Sequence, residues 1–244
     1  MALFLTSTLG GSMKRNGKRY PCRIPNTNGL LNKLKTLWPS HAKVLFLTAS
    51  PDDYERNESI CSCLAASLPM SGLSISSLNI CDRRNMEAVQ HLLDYDVLIL
   101  GGGHVPEQNR FFGELNLKAM LKNYHGLMIA WSAGSMNCAE TVYAQPEMDG
   151  EAIDPNYRRF IPGLGLTSRM IIPHFQAIQY DIVDGLHAIE DIALPDSAGK
   201  TFIALNDGSI IVCENGKETL FGEAFQIRDG SIVQICTDGE ALDL

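Results

Sequence analysis

Five short apolar runs, at residues 2–5, 44–48, 73–78, 97–100 and 127–130, mark the first half of the chain. They are continuous and rich in branched side chains, as expected of parallel strands buried on both faces. Between them, residues 54–68, 86–93 and 111–123 carry apolar side chains at helical spacing. This β-α-β-α alternation predicts the α/β class, with a doubly wound, mostly parallel sheet. After about residue 200 the texture changes to short strands at 202–205, 209–213, 218–221, 224–227 and 231–235. Asn206-Asp207-Gly208, Glu214-Asn215-Gly216 and Arg228-Asp229-Gly230 read as hairpin turns between them, so antiparallel C-terminal strands are expected to extend the sheet. No Pro-rich linker, low-complexity segment or repeat interrupts the pattern, which predicts a single domain over residues 1–244.

Composition then narrows the partners. With 45% apolar and 20% charged residues, the chain can bury a full core. A formal net charge of -8 opposes nucleic acid and anionic membranes as partners, because either needs clustered Lys and Arg. The one basic cluster, Lys14, Arg15, Lys18, Arg19 and Arg23, lies among Gly and Asn and reads as a solvated loop rather than a phosphate site. Seven cysteines form no CxxC pair, and their odd number predicts free thiols in a reducing, cytoplasmic setting. Residues 1–9 hold an apolar patch with no preceding positive charge, too short for a signal-peptide core or a membrane span, and read as a first strand. There is no HExxH and no Cys/His ligand cluster, so neither a metal nor another cofactor is expected.

The chemistry-bearing residues fall where strands end. In Ile129-Ala130-Trp131-Ser132-Ala133-Gly134-Ser135, a serine stands between a buried strand and a helix, flanked by the small residues a sharp elbow requires. Such a turn lifts Ser132 Oγ out of the sheet and aims the first free N–H groups of the helix at the same point. A plain helix N-cap would also place a serine there. Gly101-Gly102-Gly103-His104 follows the neighbouring strand, at the carboxyl edge where open α/β sheets bind ligands, and its backbone can supply further oxyanion donors. The spacing is not GxGxxG, which argues against a dinucleotide. Among six histidines, His174 in Ile172-Pro173-His174-Phe175 is best placed as a base, just past a short apolar strand. Asp207, at the turn after the strand at 202–205, could orient it, although Asn-Asp-Gly is also an ordinary turn.

Trp131-Ser132-Ala133-Gly134, the glycine triplet, Pro173-His174-Phe175 and Leu205-Asn206-Asp207-Gly208 together resemble the peptidase E (aspartyl dipeptidase) and cyanophycinase family of serine peptidases. The resemblance spans roughly residues 40 to 215 and implies a flavodoxin-like fold similar to class I glutamine amidotransferases, with serine replacing their cysteine. It implies Ser132 as nucleophile, His174 as base and Asp207 in the position of the family's glutamate, with an oxyanion hole from Gly102, Gly103 and Ala133. His104, Gln108 and Arg158 are expected to bind substrate. Ala130 stands where the elbow usually has glycine, and His104 where peptidase E has asparagine.

The expected activity is hydrolysis of a dipeptide or other small peptide through an acyl-enzyme. A hydrolase of non-peptide amides or esters on the same triad, and a non-catalytic binding protein on the same fold, are the rival readings. No nucleic acid or membrane partner is expected, and a homodimer is compatible with the sequence. The interval from Phe175 to Asn206 contains no arginine and several acids, so the enzyme is expected to lack a strong preference for an N-terminal aspartate. Arg158, Arg159 and Arg169 are the cations that could reverse that expectation.

Overall fold

A computed structural model describes residues 1–244. Strand β1 (Ala2–Thr6) leads into a hairpin of β2 (Ser12–Arg15) and β3 (Lys18–Pro21), and helix α1 (Leu30–Leu37) follows. Next come β4 (Ala42–Leu47), α2 (Tyr54–Met70), β5 (Ile75–Cys81), a tightly wound segment at Met86–Asp94, and β6 (Val97–Leu100). Helices α3 (Val105–Glu114) and α4 (Leu117–Met120) precede β7 (Leu127–Trp131) and the short helix α5 (Ala133–Asn137).

The second half adds β8 (Thr141–Tyr143), β9 (Phe160–Pro162), β10 (Met170–Ile172), α6 (Phe175–Ile178), β11 (Ile182–Val183), β12 (Leu186–His187) and a wide turn at Ala188–Ala193. It closes with α7 (Leu194–Asp196), β13 (Thr201–Leu205), β14 (Ile210–Glu214), β15 (Lys217–Phe221), β16 (Ala224–Arg228), β17 (Ser231–Cys236) and β18 (Ala241–Asp243).

The central sheet has eight strands in the order β18-β15-β14-β1-β7-β6-β4-β5. Its five strands from β1 to β5 in that order are parallel, and β14, β15 and β18 add antiparallel pairings at one edge. Alternation along each strand divides the core. Leu3, Leu5, Leu45, Leu47, Leu98 and Leu100 pack on one face against Phe111, Phe112 and Leu117 of α3 and α4. Phe4, Val44, Phe46, Val97, Ile99 and Ile129 pack on the other against Leu30, Leu34, Leu64 and Leu68 of α1 and α2. Both faces are covered by helices, which is why these strands read as unbroken apolar runs.

Several expectations are corrected. The C-terminal strands do not all extend the central sheet, because β13, β16 and β17 join β10 in a second sheet of order β10-β13-β16-β17. Asn206-Asp207-Gly208 is therefore a crossover from β13 in the small sheet to β14 in the large one, not a hairpin turn. Glu214-Asn215-Gly216 and Arg228-Asp229-Gly230 do close two-residue hairpins. Lys14, Arg15, Lys18 and Arg19 of the basic cluster lie on the β2–β3 hairpin, with Arg15 paired to Lys18, rather than in a loop. The helical stretch expected at 111–123 starts earlier, at Val105, and breaks at Asn116, which takes a left-handed conformation (φ 50°).

Candidate active site

The carboxyl ends of four neighbouring strands converge on one cleft of about 680 Å³, bringing together Ser7 after β1, Ser50 after β4, Gly102 after β6 and Ser132 after β7. Ser132 has φ 51° and ψ -123°, a conformation that costs an L-residue of order 1–3 kcal/mol. Its side chain makes no capping hydrogen bond to α5, so the plain N-cap alternative does not describe it. The strain is held by close packing around it. A Cβ on Gly134 would lie 2.5 Å from the Leu100 carbonyl oxygen, so only glycine lets α5 approach the end of β6. Ser135 is fully buried; its Oγ accepts from the Thr6 N–H at 3.0 Å and shares its proton between the Thr6 and Ala130 carbonyls at 2.8 and 2.9 Å. The second serine of the elbow is thus a bolt between β1 and β7.

The glycine loop is equally constrained. A Cβ on Gly102 would fall 2.8 Å from the Trp131 ring and 2.9 Å from Ser132 Cβ. Neither Gly102 nor Gly103 donates its N–H to any other group of the protein. Gln108, expected at the substrate, is instead fully buried. Its Nε2 donates to the Gly101 carbonyl at 2.7 Å and its Oε1 accepts from Asn137 Nδ2 at 3.0 Å. It ties the glycine loop to the elbow helix, a role invisible in the sequence because both partners are distant.

The imidazole reaches the cleft from the other sheet. Strands β10 and β13 are parallel with Ile172 opposite Ala204, so the residues just past their ends, His174 and Asp207, emerge side by side. His174 Nδ1 and Asp207 Oδ1 are 2.7 Å apart, and that contact holds the Asp207 carboxyl below the usual carboxylate range despite partial burial. Their side chains remain 33% and 43% exposed. His174 itself is left-handed (φ 56°), and its N–H donates to Ser7 Oγ at 3.0 Å. Ser7 in turn donates to the Leu205 carbonyl at 3.0 Å. This buried serine, which the sequence did not single out, joins the strand beside β7 and Ser132 to the sheet that carries His174.

His104 lines the cleft and its Nε2 lies 2.7 Å from Glu151 Oε1. Glu151 also accepts from the Glu147 and Met148 N–H groups at 2.9 and 3.0 Å, which clamps that loop over the glycine loop. Glu147 stands at the cleft mouth, open to its solvent yet walled by protein; this desolvation and the neighbouring Glu151 push its carboxyl up to about 7.

The expected cations are elsewhere. Arg158 is exposed and off the cleft, Arg159 is paired with Asp196 at 2.9 Å, and Arg169 with Glu218 at 2.7 Å. Lys14, Arg19 and Arg56 line the cleft in their place. All seven cysteines are free thiols, and no group of His, Cys, Asp or Glu is arranged to hold a metal ion. No helix is long and apolar enough to cross a membrane.

Residues 25–221 match the family model described as peptidase family S51. The chain belongs to peptidase family S51. An S51 chain is a serine peptidase acting on peptide bonds, and the substrate class is therefore a peptide. The fold agrees with a solved structure from Listeria monocytogenes EGD-e, described as a candidate peptidase E protein, at 15% identity and a TM-score of 0.51, with 96% of this chain and 97% of that one covered. No curated protein matches the sequence.

Proposed function

We propose that this S51 peptidase cleaves small peptides through an acyl-enzyme on Ser132, with His174 as general base and Asp207 as its orienting acid. The observation that carries the reading is the 2.7 Å contact between His174 Nδ1 and Asp207, which leaves Nε2 for the serine proton in the cleft that Ser132 and His174 line. Ser132 Oγ and the imidazole make no direct hydrogen bond, and such contacts commonly tighten only once substrate is bound.

In the proposed reaction His174 takes the proton as Ser132 Oγ attacks the scissile carbonyl, then delivers it to the leaving amine. Water, activated by the same imidazole, releases the acyl group. The uncommitted N–H groups of Gly102 and Gly103, with that of Ala133, receive the oxyanion, each donor lowering the barrier by about 3 kcal/mol. Asp207 remains ionised at neutral pH, so it can stabilise the imidazolium that forms between the two transfers.

A fluorophosphonate tests the nucleophile directly. Mass spectrometry of the labelled protein is expected to find the adduct on Ser132 and none on Ser135, whose hydroxyl is buried and engaged on β1 and β7. An adduct at Ser135, or none at all, would remove the assignment.

A further inference from the structure

The cleft carries a charge pattern that lies partly outside the family match. The match begins at residue 25, whereas the β2–β3 hairpin occupies Ser12–Pro21. This hairpin leaves β1 through Gly10 and Gly11, rests on α2 where Gly11 meets Ser67, and presents Lys14 and Arg19 to the cleft that holds Ser132 and His174. Arg19 is steadied by Nη1, which donates to Ser12 Oγ at 2.7 Å across the hairpin. Arg56, on the first turn of α2, completes the cationic wall, and its Nη2 would lie 3.7 Å from a Cβ on Gly103. Its guanidinium therefore stands beside the glycine loop.

Arg83, Arg84, Arg110, Arg159, Arg169 and Arg228 each have a carboxylate partner within the chain. Lys14, Arg19 and Arg56 form no ion pair, although Glu107 and Glu147 line the same cleft and Asp53 and Glu55 border the adjoining hollow. In a protein of net charge -8, three unpaired cations gathered over one cleft leave their charge available to a ligand.

We propose that the β2–β3 hairpin is a specificity element, and that Lys14, Arg19 and Arg56 receive a carboxylate of the peptide substrate. The inference rests on the peptidase reading of the cleft and adds the chemical class of what it binds away from the scissile bond. Guanidinium groups bind carboxylates through paired, charge-assisted hydrogen bonds, and a lysine adds a mobile point charge at the rim. The carboxylate belongs either to the C-terminus of a short peptide or to an acidic side chain.

The test compares kcat/KM for Ala-Leu with Ala-Leu-amide, and for Asp-Leu with Asn-Leu, in wild type, Lys14→Ala, Arg19→Ala and Arg15→Ala. Neutralising the recognised carboxylate is expected to cost wild type about tenfold or more. Loss in the first pair assigns the C-terminus and loss in the second the side chain. Lys14→Ala and Arg19→Ala should shrink that loss, mainly through KM, whereas Arg15→Ala, whose side chain does not line the cleft, should retain it. Equal rates within both pairs, or a loss that Lys14→Ala and Arg19→Ala leave intact, would overturn the proposal. Fluorophosphonate labelling of wild-type Ser132 reports on the catalytic reading separately, so an indifferent hairpin on a labelled enzyme condemns the specificity element alone.

Discussion

The two halves of the proposed catalytic apparatus are built to different standards of rigidity. Ser132 leaves the middle of an eight-stranded sheet, between β1 and β6, and is surrounded by contacts that tolerate no added atom. His174 and Asp207 leave a four-stranded sheet at the edge of the cleft, with a third or more of each side chain open to solvent. Strain is tolerated only where the surroundings over-determine the backbone, which suits the strained Ser132 to the larger sheet. The base needs only orientation, and one carboxylate contact and one backbone contact to Ser7 provide it.

The largest effect should come from severing the two halves chemically. Ser132→Ala and His174→Ala are each expected to lower kcat by about 10⁴-fold or more, and the double variant to be scarcely worse than either, because nucleophile and base act as a unit. Independent, multiplicative losses in steady-state kinetics would mean that the halves do not form one site.

A smaller effect should come from disturbing the rigid half alone. Gly102→Ala forces a methyl group against the Trp131 ring and Ser132 Cβ, so Trp131 and the elbow must shift to admit it. A misplacement on the order of 1 Å costs roughly 10²-fold in rate, and it should fall on kcat with the fold retained. Gly113→Ala, in α3 with open space around the added Cβ, supplies the matched substitution that should leave kcat unchanged. If both variants behave alike, the packing around the elbow is not what holds Ser132.

The same contrast explains what was legible in the sequence. The rigid half announces itself locally: unbroken apolar runs fix β1, β4, β6 and β7, and the small residues around Ser132 have no cheaper explanation than a tight elbow. The small sheet is assembled from β10, β13, β16 and β17, which are dispersed between residues 170 and 236, and hairpin signals cannot tell which sheet a strand joins. Asn206-Asp207-Gly208 thus reads as a hairpin although it carries the chain between sheets. Ser7 and Gln108 escape notice for a related reason. Each is an ordinary polar residue until the fold brings it to Leu205 and His174, or to Gly101 and Asn137. Lys14 and Arg19 look like solvated charge because hairpin pairing, not composition, turns them towards the cleft.

The smallest effect should come from loosening the exposed half by removing its charge. The contact with His174 lowers the folded-state pKa of Asp207, so the carboxylate stabilises the fold above the ordinary carboxylate value near 4, and this contribution fades as the pH falls through the lowered value. Because Asp207 is 43% exposed, solvent screens the interaction, and its share at neutral pH is limited to about 1 kcal/mol. Asp207→Asn should therefore melt a few degrees below wild type at pH 7, with the gap narrowing as the pH falls from about 4 towards 3. Added salt should shrink the neutral-pH gap as well, since an exposed pair is open to counterions. Thermal unfolding of the two proteins across that range decides it. A gap that persists undiminished at pH 3 would show that Asp207 holds its turn through hydrogen bonding alone, independent of its charge, and the comparison between a rigid and a solvent-exposed half would lose its electrostatic basis.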